Sequence, residues 1–272
     1  MGGPAVDEVR VTSWADLTER LYADSWQPGL GRFRSDFAFR GVETPEAALQ
    51  TGLMRLGSSY AELEGHLLRN FRKYAVRDAV PSDSAWNWLA LAQHHGLPTR
   101  LLDWTFSPYV ALHFLTEEFD HFDKDGVIWC VDFMKVKALL PQRLQAALNE
   151  EGANVFTTDM LAAVAPTLAE FDRLAREPFA VFFEPPSLDE RIINQFALFS
   201  LMSNPTARLD TWLTDHGGLV RRIIVPAGLK WEVRDKLDQA NVTERVLFPG
   251  LDGLSRWLRR QYTPRAPDGP KP

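Results

Sequence analysis

The sequence has a single cysteine, Cys130, among 272 residues, which excludes an internal disulfide. Its place in the apolar run "VIWCVDF" makes it read as a buried, unreactive thiol rather than a nucleophile. No stretch approaches the roughly 18 apolar residues that a membrane-spanning helix needs. The opening "MGGPAVDEVR" has neither a basic region ahead of an apolar one nor an acylation motif. Positive charge is also short: 30 Lys and Arg against 36 Asp and Glu leave a net charge of −6, which argues against a broad electrostatic grip on nucleic acid. Neither CxxC nor HExxH occurs, and there is no P-loop or GxGxxG stretch. Zinc sites of familiar spacing and phosphate-wrapping glycine loops are therefore not indicated. These absences lead to the expectation of a soluble, cytoplasmic chain with no membrane contact, no metal site and no tightly bound cofactor.

Apolar residues are plentiful at 45%, with nine Trp and 17 Phe, enough for a sizeable core. No repeat or low-complexity segment interrupts them. Ser13, three residues before Asp16, marks a helix start in "TSWADLTERLY". "DFAFRG" alternates as a short strand, and 59–76 repeats its apolar groups at helical spacing. "SAWNWLALAQHH" reads as a helix ended by Gly96. Pro98 forces Leu97 to be extended, so "LPTRLLDW" is expected to run as a strand; Ser107 and Pro108 then start another helix. Further strands are expected at 126–133, 178–186 and 219–226, with helices at 136–150, 158–176, 228–240 and 251–260. The pattern predicts a single α+β domain over 10–262, a small central β-sheet flanked by helices. A helical lid or subdomain is expected at 134–176 and a disordered tail at 263–272.

The densest chemistry lies in "LAQHHGLPTRLLDWTFSPYVALHF", residues 91–114. His94 and His95 are adjacent on a helix, about 100° apart, so they cannot share one ligand sphere. The C-terminal end of that helix favours an imidazolium, hence a proton donor; the competing reading is a buried histidine bonded to a carbonyl. Arg100 and Asp103 leave an extended chain on opposite faces and each needs another partner. For Asp103 that is the amides of the next helix, and for Arg100 a carboxylate or a bound phosphate. Trp104 reads as core or as the wall of a pocket. Ser107 reads as a cap rather than a nucleophile. Arg40, followed by Gly41, is offered where a ligand can approach the backbone, with a salt bridge as the alternative. Gln195 is a polar group inside the apolar "INQFAL" and needs a partner if buried. The arginines of "RWLRRQYTPR" read as a solvated face or as a contact for a partner.

"FAFRG" at 37–41, "AQHHGLPTRLLDWTFSPYVALHF" at 92–114, "RIINQFALF" at 191–199 and the closing "IIVPAGLKWEVRDKLDQANVTERVLFPGLDGL" resemble the FRG domain, named after its Phe-Arg-Gly motif. Where that family usually continues with Gln, this chain has Val42. The family brings no settled activity. The order of elements is also similar to that of ADP-ribosyltransferase-like folds, with their split sheet. That second resemblance implies NAD as substrate, Arg40 gripping its pyrophosphate or ribose, Thr105 in the Ser/Thr position, and Gln195 where a catalytic glutamate usually stands. Gln can orient a ribose hydroxyl but brings no charge to a developing cation, a task for which Glu184 or Glu190 would have to compensate.

The resulting expectation is an ADP-ribosyltransferase or NAD glycohydrolase-like enzyme, a bacterial toxin or anti-phage defence effector. Its partners would be a nucleotide-type small molecule, a protein or nucleic-acid acceptor, and an antitoxin or defence protein. Arg40, His94, His95 and Gln195 would be catalytic; Arg100, Asp103, Trp104 and Thr105 would bind substrate. Two alternatives are a non-catalytic nucleotide-sensing domain and a hydrolase or nuclease using His94, His95 and Asp103.

Overall fold

The computed structural model describes residues 6–57, 60–75 and 80–265; most of the expected tail, 266–272, lies outside them. The chain opens with β1 (Asp7–Arg10), α1 (Trp14–Tyr22), the two-residue strands β2 (Trp26–Gln27) and β3 (Arg32–Phe33), and β4 (Phe37–Val42). There follow α2 (Tyr60–Tyr74), α3 (Ala85–His94), β5 (Leu102–Thr105), α4 (Pro108–Leu115), β6 (Gly126–Asp132), α5 (Phe133–Ala138) and α6 (Gln142–Glu150). Next come β7 (Phe156–Thr157), α7 (Thr158–Val164), α8 (Leu168–Asp172), β8 (Ala180–Glu184), α9 (Glu190–Asn194) and β9 (Ala197–Met202). The last elements are α10 (Leu209–Asp215), β10 (Val220–Val225), α11 (Lys230–Gln239), α12 (Glu244–Leu247) and α13 (Leu251–Gln261). Among these residues no helix is long and apolar enough to cross a membrane.

Local chemistry accounts for most boundaries. Ser13, Ser84 and Ser107 each accept a first-turn amide as N-caps, and Pro108 occupies the first turn of α4. Gly96 ends α3 at φ +79°. The helices expected at 136–150 and 158–176 are each broken in two, at Pro141 and around Pro166, because a proline cannot donate to the ladder it would join. The strand expected from Leu97 starts only at Leu102, so Arg100 lies ahead of it.

Eight strands form one mixed sheet in the order β1-β10-β6-β4-β5-β9-β8-β7, an α+β architecture with helices on both faces. Alternation sorts the core. Ala38, Trp104, Trp129, Phe182 and Leu198 face one side; Phe39, Ile128 and Ile223 face the other under α1, α4 and α11, joined there by Val181, Phe183 and Phe199 under α3, α6, α7 and α8. Residues 134–176 are thus no lid. Leu144, Leu148, Leu161 and Phe171 are buried on the sheet, and β7 extends its edge beside β8.

The middle of the sheet is its weak seam. β4 pairs with β6 over six positions and β5 with β9 over four, yet β4 and β5 share one pair, Phe39 opposite Thr105. Gly41 sits under α4 so closely that a Cβ there would come within 1.9 Å of the Ala111 carbonyl oxygen.

Behind α4 lies a buried polar cluster. His113 is fully buried, and its Nδ1 accepts from Arg234, 2.9 Å away. Arg260 binds Asp238 and Glu244. Burial, reinforced by the Arg234 charge, holds the His113 pKa down at about 3. The unfolded chain, with an ordinary histidine near 6.5, binds a proton that the folded chain refuses. Stability from His113 is therefore full above pH 6.5 and falls by about 1.4 kcal/mol per pH unit as pH drops toward 3. Urea unfolding between pH 7 and 4 should show a shallower loss in His113→Gln than in the wild type; equal slopes would contradict this assignment.

Candidate functional site

A cleft of about 1060 Å³ opens over the β4–β5 seam, between the C-terminal end of α3 and the cleft-facing side of α4. That is the upper end of ordinary small-ligand sites, about 300–1000 Å³. Arg40, Asp103, Thr105, Gln93, His94, His95 and Gln195 all line it. So do residues to which the sequence reading assigned no role: Arg55, Glu117, Lys124 and Arg191. They come from isolated positions in three different segments, with no local pattern to mark them.

Arg40 leaves β4 on the side of Ala38 and Trp104 and bridges the seam, its guanidinium donating to the Asp103 carbonyl at 2.5 Å. It thereby occupies a carbonyl that a continuous ladder would have taken. Its buried Nε has no protein partner. Burial lowers its pKa, with Asp103 opposing and Arg55 adding to the effect. Among the described residues, Arg55 hydrogen-bonds to the Gln50 carbonyl at 3.4 Å. Arg191 donates to the His94 carbonyl and lies over the Phe248 ring. Among the described residues, none of Arg40, Arg55, Lys124 and Arg191 makes an ion pair with a carboxylate.

The cleft carboxylates, by contrast, are engaged. Asp103 accepts from Gln93 Nε2 at 2.8 Å, and so does not cap α4 as expected; Ser107 does. Glu43 meets His121 at 2.5 Å, and Glu117 meets Arg256 at 3.3 Å. The buried Lys230 amine fixes this lip by donating to the Glu43 and His121 carbonyls, both at 2.8 Å, and its burial lowers its pKa to about 8.

Several expected roles change. Arg100 lies outside the cleft, 4% exposed, and Glu64 and Asp172 take its guanidinium, so no phosphate can reach it. Trp104 borders the cleft on the Arg40 side of the sheet, but its indole is largely buried in the core, its Nε1 donating to Ser200 Oγ at 2.8 Å and its ring 5.5 Å from Phe182. The Thr105 hydroxyl donates to the Gln195 carbonyl at 2.7 Å and accepts from the Ser107 amide, bracing β5 against the 195 loop. Gln195 anchors its own amide on the Leu247 carbonyl at 2.9 Å, leaving its Oε1 and one amide hydrogen for a ligand.

His94 Nε2 meets Asp189 at 2.6 Å. Burial outweighs both that carboxylate and the helix end, and depresses the His94 pKa. His94 is therefore not the ready imidazolium that its helix position implied, while His95 is exposed beside it. His94, His95 and Asp103 border the same cleft, but His94 pairs with Asp189 and Asp103 with Gln93 rather than with one another. Glu184 and Glu190 do not line the cleft. Among the described residues no group of three His, Cys, Asp or Glu could hold a metal ion. Arg260 and Arg256, expected on a solvated face, are tied to Glu244 and Glu117.

In comparisons with known proteins, residues 35–124 match the family model described as FRG domain. No curated protein and no solved structure matches the chain. The matched stretch contains Phe39, Arg40 and Gly41 together with the 91–114 segment, and so supplies both walls of the β4–β5 seam. Gln195 lies beyond it.

Proposed function

We propose that this chain, which carries an FRG domain over residues 35–124, binds a phosphate-bearing nucleotide in the cleft over the β4–β5 seam and cleaves the nicotinamide bond of NAD there. One observation carries the reading. In an acidic protein, the fold brings Arg40, Arg55, Lys124 and Arg191 to one cleft without an ion-pair partner for any of them among the described residues. Unpaired guanidinium groups on low-dielectric walls suit the charge and fork geometry of a pyrophosphate. The volume suits a dinucleotide, and in this reading Gln195 Oε1 would accept from a ribose hydroxyl. In this reading the ADP-ribosyl group passes to water or to a protein or nucleic-acid acceptor, and the chain acts as a toxin or defence effector.

Incubation of the purified protein with NAD should release nicotinamide, with a mass shift on any acceptor. Arg40→Ala should lose that release by about 100-fold or more, the scale of a removed charge-stabilising group. Arg55→Ala, in an exposed residue that braces no strand, should lose less and keep the wild-type melting temperature. Release unaffected by both substitutions would rule this reading out. A second reading, saturable nucleotide sensing without turnover, is favoured by the neutral, anchored Gln195 and predicts NAD-induced thermal stabilisation with no product.

A further inference from the structure

Breaking a nicotinamide–ribose bond leaves positive charge at the anomeric carbon, and Gln195 brings no charge to meet it. The cleft contains three carboxylates that could. Asp103 is exposed and engaged by Gln93, and Glu43 is held by His121. Glu117 is as exposed as Glu43 but differs from both in its partner, an arginine rather than a histidine or an amide. It follows the last turn of α4, on the side set by Ala111 and Phe114 at helical spacing, and its side chain is 26% exposed. Among the described residues its one ion-pair partner is Arg256 of α13, itself fixed 4.0 Å from the centroid of the Phe248 ring that also carries Arg191.

We infer that Glu117 is the catalytic carboxylate of this cleft and that Arg256 is its positioning residue, an assignment that rests on the NAD reading above. As the anomeric C–N bond breaks, its electron pair passes to the pyridinium nitrogen and nicotinamide leaves neutral. The ribosyl oxocarbenium ion is then stabilised by the ionised Glu117. Water, or a nucleophilic group of the acceptor, donates a lone pair to that carbon and gives up its proton to Glu117, which passes it to solvent. Hydrolysis of NAD in this way yields nicotinamide, ADP-ribose and one proton, with no oxidant or reductant required.

The same geometry fixes the pH behaviour. Burial raises the Glu117 pKa, Arg256 opposes the rise, and Glu118, Glu43 and Glu244 add to it. The C-terminal end of α4 acts in the same direction as burial. Because the ionised form works, activity falls as pH drops through this raised pKa, and removing Arg256 moves the fall to higher pH.

The test is nicotinamide release from NAD by the full chain. Glu117→Gln, which keeps shape and a hydrogen bond to Arg256, should lose about 100-fold or more in kcat with KM changed by less than about threefold. Glu117→Asp should fall between. Arg256→Ala should shift the acid limb of the pH profile upward and Arg256→Lys should restore it, a response that a merely structural arginine would not give. Wild-type kcat in Glu117→Gln overturns the assignment and leaves the NAD reading standing. No release by the wild type overturns both.

Discussion

Arg100→Leu is expected to lower the unfolding free energy by about 3–5 kcal/mol, the cost of leaving a buried charge without its partner. Arg100 is 4% exposed and binds Glu64 through Nε at 2.7 Å and Asp172 through a terminal nitrogen at 2.6 Å. Glu64 has 8% of its side chain exposed and cannot find water when the guanidinium is gone. The two carboxylates raise the Arg100 pKa, so the arginine stays charged at any pH at which the protein folds. Replacing Arg100 and Glu64 together by leucine should recover part of the loss, since a charge left alone costs more than a pair removed. Urea unfolding measures both variants. Nicotinamide release per folded molecule should be unchanged in Arg100→Leu, because the residue does not line the cleft. A loss below about 1 kcal/mol would show that the pair is not the buried brace described here.

Gly41→Ala is expected to cost more than about 3 kcal/mol, beyond the usual range for overpacking, because its added carbon meets backbone rather than a movable side chain. The Cβ would lie 1.9 Å from the Ala111 carbonyl oxygen and 2.9 Å from the Leu115 amide nitrogen, so α4 must lift from β4. Arg40 is the next residue, and Phe114 and Glu117 lie on the same helix or just past its end. The variant should therefore lose NAD turnover even in the fraction that stays folded. Gly96→Ala makes the contrast: its φ of +79° disfavours a side chain, but nothing lies within 4 Å, and the expected cost is about 1 kcal/mol. Similar melting temperatures for the two variants would contradict the close approach at Gly41.

The elements whose signals are local were legible in the sequence. Ser107 with Pro108, and Gly96 at the end of α3, act within one turn of where they stand. Arg40, His94, His95 and Gln195 were expected at one site, and all four line the same cleft. The misreadings have partners far along the chain. Arg100 is satisfied by residues 36 and 72 positions away, and the indole N–H of Trp104, which sinks into the core while bordering the cleft, by Ser200, 96 positions away. Nothing near them in sequence announces those contacts. Alternation along β5 puts Trp104 on the side of Arg40 and Asp103 on the other, and the open seam lets both border one cleft. β9 went unassigned because "ALFSLM" is buried on both faces and carries no period-two pattern. Glu117, Arg55 and Arg191 are single charges among 66, and folding alone brings them together.

The most direct measurement of the central claim is calorimetric titration of NAD into the wild type and into Arg40→Ala, with circular dichroism confirming that the variant is folded. Saturable binding by the wild type, weakened about tenfold or more in Arg40→Ala and reduced by salt, is the predicted result. No binding by the wild type, or equal affinity in both proteins, would contradict the account.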